Sequence, residues 1–214
     1  MIKTKNVNDP SQSMQDKNYR KDMMEGWNFV KNNMLVRHMF MLDMTINFIS
    51  SMQSPLTYIF AERYLGGSLL MAKRTALLFS CAGIGTAAGG IILGKFNNKN
   101  KLMLFPFSLV FDSFLVIIFS LNRYFPLSLL IFAGMGIVGS FSGSILQTVI
   151  QENTPGNLLG RVSGLINSAV EPLTVLSMLL GGIFVSIIEV KWIFIAGALL
   201  ELITALYFIK RYKN

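Results

Sequence analysis

The chain of 214 residues is 52% hydrophobic and only 14% charged, and its mean hydropathy is +0.53. A net charge of +8 is compatible with nucleic-acid binding, but the Lys and Arg residues lie between apolar runs and at the two ends, as in membrane proteins. One cysteine excludes an internal disulfide framework, and one histidine excludes a histidine-rich metal site. The composition predicts an all-α integral membrane protein that binds no nucleic acid.

The chain opens with a polar stretch, residues 1–22, which we predict to be a disordered cytoplasmic tail. Residues 23–37 have the pattern of an amphipathic interfacial helix, in which Met23, Trp27 and Val30 share one face. Such a helix either leads into the membrane or forms a specific lipid or partner site. No signal peptide opens the chain, so we expect the first membrane span to act as the insertion signal.

The remainder of the chain, residues 38–214, is predicted to be a six-span transmembrane bundle. Each hydrophobic segment is close to the roughly 20 residues needed to cross a hydrocarbon core, and none contains Lys or Arg. Short loops predict that neighbouring spans are antiparallel. The predicted spans are residues 38–60, 75–94, 102–121, 126–150, 163–188 and 192–209.

The distribution of basic residues predicts the orientation of the bundle. Fourteen of the nineteen Lys and Arg residues fall on one side of the predicted membrane, together with both chain ends. Because cytoplasmic loops are enriched in Lys and Arg, both termini are predicted to be cytoplasmic.

A weak internal repeat relates the two halves of the bundle. Gly-Ser-Leu-Leu at 67–70 returns as Gly-Asn-Leu-Leu at 156–159, and the same offset of 89 residues takes Asp112 to Glu201. The repeating unit has three spans, which is an odd number, so the second copy must be inverted in the membrane. Inverted repeats are typical of secondary transporters.

Four acidic residues lie inside predicted spans, where each charge costs on the order of 2.5–3.5 kcal/mol. They are Asp43, Asp112, Glu171 and Glu201. They could be protonated, face a water-filled cavity, or pair with a residue of another polypeptide. Glu171 is the strongest candidate for a functional residue, because it precedes the helix-bending Pro172. Three uncharged polar residues either line the same pathway or bond between helices: Asn47, Gln53 and Gln147.

A polar stretch, residues 147–164, separates the fourth and fifth spans, and there Thr154 is predicted to cap a new helix with Pro155 at its first position. Glycines four residues apart predict close helix packing. These pairs are Gly85 and Gly89, Gly139 and Gly143, and Gly160 and Gly164.

The chain carries no pattern of a soluble enzyme. No glycine-rich phosphate loop with Lys is present, and His38 is the only imidazole available for a Ser/His/Asp triad. We therefore predict no catalytic residue, no metal and no cofactor.

Three stretches match sequence patterns of one known family. Gln147 to Val162 contains Glu-Asn-Thr-Pro-Gly-Asn-Leu-Leu-Gly-Arg, which resembles the loop between the tenth and eleventh helices of the macrolide-efflux branch of the major facilitator superfamily. Gly89 to Lys101 resembles the second copy of the glycine-rich basic loop, although Asn97 and Asn98 stand where an acidic residue is usual. Residues 25–30, Glu-Gly-Trp-Asn-Phe-Val, resemble the start of the helix that joins the two halves.

The resemblance implies that the chain corresponds to the C-terminal six-helix half of such a transporter. Its first, second, fourth and fifth spans would then line the central cavity. Residues Glu171, Asn167, Gln147 and Asn47 would be favoured as substrate or proton pathway over Asp112 and Glu201, with Asp43 near the membrane edge. Cytoplasmic gating loops would contain Gly90, Gly94, Lys95, Glu152, Pro155, Gly160 and Arg161.

We therefore expect a transporter of the bacterial inner membrane that exports amphipathic drugs such as macrolides in exchange for protons. Its partners would be the lipid bilayer, the drug, protons, and an N-terminal six-helix half or a second copy of the chain. The alternative is a non-transporting remnant or accessory subunit that needs a separate N-terminal half.

Overall fold

The computed structural model describes residues 10–95 and 98–212, and in this part of the chain every regular element is an α-helix. The helices are α1 (Pro10–Asn32), α2 (Met34–Gln53), α3 (Leu56–Tyr64), α4 (Ser68–Gly94), α5 (Asn98–Leu121), α6 (Phe125–Glu152), α7 (Gly156–Ile187) and α8 (Val190–Tyr212). This confirms the all-α fold predicted from the sequence.

Helix α1 begins earlier than the predicted amphipathic helix. It starts at Pro10, where a proline fits the first turn because its missing N–H has no partner there. Residues 10–22 of the predicted disordered tail are therefore helical, and residues 1–9 lie outside the described part. The helix ends at Asn32, and the side chain of Asn33 caps the next helix by accepting a hydrogen bond from the Val36 N–H at 3.2 Å.

Among the described residues, five helices are long and apolar enough to cross a membrane, namely α4, α6, α7, residues 104–121 of α5 and residues 190–210 of α8. The first predicted span, 38–60, is instead divided into α2 and α3. Pro55 lies at the division, because a proline has no N–H to continue the α2 hydrogen bonds. Arg37, His38 and Asp43 make α2 less apolar than these five helices.

Two hydrophobic cores lie towards opposite ends of the bundle. They show the direction in which α2 and the helices α4 to α8 run. The first core contains Val36 of α2, Leu109 of α5 and Phe208 of α8. The second core contains Met52 from the other end of α2 and Val190 from the other end of α8. Helices α2, α5 and α7 run from the first core to the second, and α4, α6 and α8 run back. Successive long helices are therefore antiparallel, as predicted.

The packing follows the predicted inverted repeat, in which α2, α4 and α5 correspond to α6, α7 and α8. Helix α4 packs on α6, the equivalent pair α7 and α2 also pack together, and α5 packs on its own equivalent α8. A Cβ atom at Gly89 of α4 would lie 2.6 Å from the Ile137 carbonyl oxygen of α6. A Cβ atom at Gly181 of α7 would lie 2.7 Å from the Met52 carbonyl oxygen of α2. Glycines thus allow a close contact in each of the two corresponding helix pairs, although Gly89 and Gly181 are 92 residues apart and not 89.

The other predicted glycine pairs do not mediate close helix contacts. A Cβ atom at Gly139, Gly143, Gly160 or Gly164 would meet no described atom within 4 Å. The packing prediction was correct for Gly85 and Gly89, whereas the other two pairs make no close helix contact within the described part of the chain. A spacing of four residues places glycines on one helix face, but it does not determine whether another helix approaches that face.

The connection between α6 and α7 is shorter than the polar stretch suggested. The Thr154 hydroxyl donates a hydrogen bond back to the Ile150 carbonyl at 2.7 Å, so it completes the end of α6 and does not cap α7. Pro155 occupies the N-cap position of α7, one residue before its predicted place. Gly160 and Arg161 consequently belong to the first turns of α7.

Candidate functional site

A cavity of about 460 Å³ lies in the middle of the bundle, between the two hydrophobic cores. On α5, Asp112 falls between Leu109 of the first core and Val116 of the second. On α8, Glu201 falls between the second-core and first-core residues in the same way. The second half of α2 and the middles of α5, α6 and α8 form most of the wall, with α4 contributing Phe79 and Ala82.

Three carboxyl groups face this cavity, and they belong to Asp43, Asp112 and Glu201. Glu201 is only 7% exposed, whereas Asp43 and Asp112 are half-buried. The Asn47 side-chain amide donates hydrogen bonds at 2.9 Å to both the carboxylate and the backbone carbonyl of Asp43. The packing of α5 on α8 brings Asp112 and Glu201 to the same cavity.

No Lys, Arg or His is among the described residues that line the cavity. Because an isolated charge in a membrane interior is costly, a negative charge on these carboxyls is stabilised either by water in the cavity or by a compensating positive charge. A proton or a cationic substrate could provide it. The three carboxyls are not grouped as a metal site, since no set of three or more His, Cys, Asp or Glu in the described chain could hold a metal ion.

Large apolar side chains form the rest of the wall. Phe132 of α6 and Phe194 of α8 belong to the second core and also face the cavity, and Phe79 and Met135 lie beside them. The buried amide of Gln53 donates to the Phe194 carbonyl at 3.3 Å and so joins α2 to α8. The cavity therefore combines a few polar groups with an apolar wall, as small-molecule sites do.

The structure divides the predicted pathway residues into two groups. Asp43, Asn47, Asp112 and Glu201 line the cavity, whereas Glu171, Asn167 and Gln147 do not. The second group is exposed on the surfaces of α7 and α6. The resemblance had favoured Glu171 over Asp112 and Glu201, but in this bundle α5 and α8 supply the most enclosed acidic residues. A pathway role for the exposed residues stays a prediction.

The predicted gating residues lie around the end of the bundle that contains the first core. Gly90 and Gly94 belong to the last two turns of α4, Lys95 follows as its C-cap, and Glu152 is the last residue of α6. Arg161 forms ion pairs with two acidic residues of α1, through Nε to Asp22 at 2.9 Å and through Nη1 to Glu25. In this structure Arg161 therefore connects α7 to α1.

Sequence reasoning missed the aromatic wall of the cavity. Phe79, Phe132 and Phe194 lie in apolar runs, where any aromatic residue is expected to face lipid or a neighbouring helix. Their role depends on which helices pack together, and no local spacing gives that information. The sequence contained one indication of helix packing. The offset of 89 residues related Asp112 to Glu201 and hence α5 to α8.

The cavity and the inverted repeat agree with a comparison against protein families. The model of the Major Facilitator Superfamily matches residues 3–171, which is most of the chain. The chain belongs to the Major Facilitator Superfamily. No curated protein and no solved structure matches it.

The superfamily match extends from the beginning of the chain into α7 and ends at Glu171, the acidic residue before Pro172. It therefore includes Asp43, Asn47 and Asp112, whereas Glu201 lies beyond it. Superfamily membership identifies a multi-pass membrane protein of the transporter class, and proteins of this superfamily are generally not enzymes.

Proposed function

We propose that this transporter exports amphipathic drugs that carry a basic amine, such as macrolides, from the bacterial cytoplasm in exchange for protons. The main support is the mid-bundle cavity, where Asp112 and Glu201 meet with no basic residue in the described lining. A volume of about 460 Å³ lies within the range of roughly 300–1,000 Å³ that is typical of small-molecule sites.

The exchange of drug for protons follows from their competition for the same carboxyl groups. A bound proton neutralises Glu201 or Asp112, and so does the positive charge of a bound amine. If only one of them can be present at a time, binding of the drug displaces the proton, and binding of a proton releases the drug. The aromatic residues Phe79, Phe132 and Phe194 contact the apolar part of the substrate from α4, α6 and α8.

Alternating access in this superfamily requires two bundles that move around a shared site. We propose that the second bundle is an N-terminal six-helix half or a second copy of this chain. Only 11% of the apolar window of α7 and 22% of that of α4 are buried, compared with 39–44% for α5, α6 and α8. This unequal burial also favours the second candidate function, an accessory subunit that is active only with its partner.

The experiment measures drug efflux in bacteria that lack their own exporters. Cells would express the chain alone or together with an N-terminal six-span partner, and macrolide accumulation would be followed with and without a proton uncoupler. Uncoupler-sensitive efflux by the chain alone would support a functional homo-oligomer. Efflux only with the partner would support a split transporter.

Two matched substitutions test the site. Glu201→Gln is expected to reduce uncoupler-sensitive efflux about 100-fold or more, because a positioned acid or base contributes roughly 10²–10⁴-fold to proton transfer. Glu62→Gln makes the same change at an exposed position of α3, outside the cavity lining, and is expected to leave efflux unchanged. Full activity of Glu201→Gln would contradict the proposed site. No efflux in any combination, with the protein present in the membrane, would leave an accessory or remnant role.

A further inference from the structure

Helix α1 has two chemically different faces over its second half. At about 100° per residue, the exposed residues fall on one half of the helix and the contacting residues on the other. The exposed residues are Arg20, Lys21, Met24, Trp27, Asn28, Lys31 and Asn32. The buried or half-buried residues are Asp22, Met23, Glu25, Gly26, Phe29 and Val30. We refer to the first set as the outer face and to the second as the inner face.

The inner face holds α1 against the start of α7. Gly26 lies so close that a Cβ atom there would be 3.0 Å from the Arg161 carbonyl oxygen. Val30 is 1% exposed and belongs to the first hydrophobic core together with Val162. The ion pairs from Arg161 to Asp22 and Glu25 flank this contact. The inner face is thus fully engaged, and its contacts fix the direction in which the outer face points.

The outer face combines exposed apolar side chains with basic residues. Met24 is 66% exposed and Trp27 is 50% exposed, although both are large and hydrophobic. The sequence pattern had placed Trp27 on one face with Met23 and Val30, but in the structure only those two of the three lie on the inner face. Arg20 and Lys31 lie on the same stripe, one turn before Met24 and one turn after Trp27. All acidic residues in the second half of α1 lie on the inner face, so the outer face carries positive charge only.

Helix α1 lies at the end of the bundle that contains the first core. Only Asn33 separates α1 from α2, which passes from the first core to the second. Val30 and Val36 both contribute to the first core, so α1 lies at that end of the bundle. A helix with an exposed aromatic residue and basic neighbours at this level matches the boundary between headgroups and acyl chains, where Trp and Lys/Arg are favourable.

We propose that the outer face of α1 binds the anionic phospholipid headgroups of the bilayer that surrounds the bundle. Arg20, Lys21 and Lys31 contact the phosphate groups, and Trp27 and Met24 insert at the boundary below them. Each positive side chain near an anionic leaflet increases the affinity for the lipid surface about fivefold. The inner-face contacts with Arg161 connect this lipid-binding helix to α7.

The test uses the full chain in bilayer discs and the fluorescence of Trp27, after Trp192→Phe has removed the other tryptophan. We expect the Trp27 emission to shift to shorter wavelength as phosphatidylglycerol replaces phosphatidylcholine, and high salt to reverse the shift. In the double variant Lys21→Gln/Lys31→Gln, the phosphatidylglycerol content that gives the half-maximal shift should rise about 25-fold. Where that content would exceed about 100%, the half-maximal shift should not be reached even in pure phosphatidylglycerol. The double variant Arg63→Gln/Lys73→Gln removes the same charge at the opposite end of the bundle and should have no effect.

Three results would overturn the proposal. The first is the same Trp27 spectrum in neutral and anionic discs, which would show an interfacial helix without preference for anionic headgroups. The second is an equal effect of the control pair, which would show a response to net charge alone. The third is a water-exposed Trp27 in every disc, which would indicate that the outer face is free for a soluble protein. None of these measurements depends on drug transport, so they are independent of the proposed function.

Discussion

At the scale of single residues, the contact between α4 and α6 depends on reciprocal close approaches. A Cβ atom at Gly85 would lie 2.0 Å from the Ala133 carbonyl oxygen, and one at Gly136 would lie 2.0 Å from the Ala82 carbonyl oxygen. Both obstacles are backbone atoms, which cannot rotate away as a side chain can. These glycines bring the two backbones together without a hydrophobic driving force, as small residues do between membrane helices.

Substitution at this contact is predicted to destabilise the bundle. Gly136→Ala should lower the free energy of unfolding in detergent by about 1–3 kcal/mol, because the helices must separate to accommodate the methyl group. Gly139→Ala lies one turn away on α6 and has open space at its Cβ, so its stability should be unchanged or slightly higher. Equal stabilities of the two variants would contradict the close approach.

A second prediction concerns pH and the loop between α7 and α8. Lys191 pairs with Glu189 at 2.7 Å and, together with a hydrogen bond from the Tyr64 hydroxyl, lowers the pKa of the Glu189 carboxyl. A lowered folded-state pKa stabilises the protein above the ordinary glutamate pKa of about 4.3, and this contribution is lost as the pH falls through the folded-state value.

The measurement for this pair is the melting temperature of the parent and of Glu189→Gln as a function of pH. The variant should melt slightly lower at pH 7, by about 2 °C or less because the group is exposed, and the difference should shrink as the pH falls below the ordinary glutamate pKa and the carboxylate is protonated. Other carboxyls titrate in both proteins and cancel in the comparison. A difference that persists at the lowest pH would show that it does not come from the ionised carboxylate.

At the scale of helices, the five uninterrupted apolar runs were predictable because each has the length and hydropathy of a span. The division of the first predicted span at Pro55 was not predictable, because the residues on both sides are apolar and the proline lies in the middle of a plausible span. Thr154 was misassigned because a hydroxyl can bond forward to a new helix or back to the previous one. The sequence repeat related Asp112 to Glu201, but only the packing of α5 on α8 brings them to one cavity.

The attachment of α1 to α7 gives a prediction at this scale. A double-mutant cycle with Glu25→Gln and Arg161→Gln should give a coupling of about 0.5–1 kcal/mol at low salt and less at high salt, because both side chains are more than one third exposed. A cycle of Arg161→Gln with Glu152→Gln is the control, since Glu152 forms no described ion pair with Arg161. Coupling of the same size in the control would mean that the measured energy reflects general charge and not this contact.

At the scale of the whole molecule, the two least buried spans, α4 and α7, occupy equivalent places in the inverted repeat. The exposed side of α7 is not uniformly apolar, because Asn167, Ser168 and Glu171 follow one another along it. A charged residue that faced lipid here would cost about 2.5–3.5 kcal/mol. This side of α7 is therefore expected to face water or a second bundle.

Cysteine labelling distinguishes these environments. In a Cys81→Ala background, Ser168→Cys should react rapidly with a small hydrophilic thiol reagent when the chain is expressed alone, because a thiol must reach water to ionise. Ile203→Cys on α8 is the lipid-facing control: Ile203 is 65% exposed within an apolar span, and its cysteine should stay unreactive. Coexpression of an N-terminal six-span half should slow labelling at position 168 at least about tenfold, because the partner would cover this side of α7 and the reagent would reach the cysteine only during transient local opening. If both cysteines are equally unreactive in the chain alone, α7 faces lipid, and its exposed polar residues do not mark the interface with a second bundle.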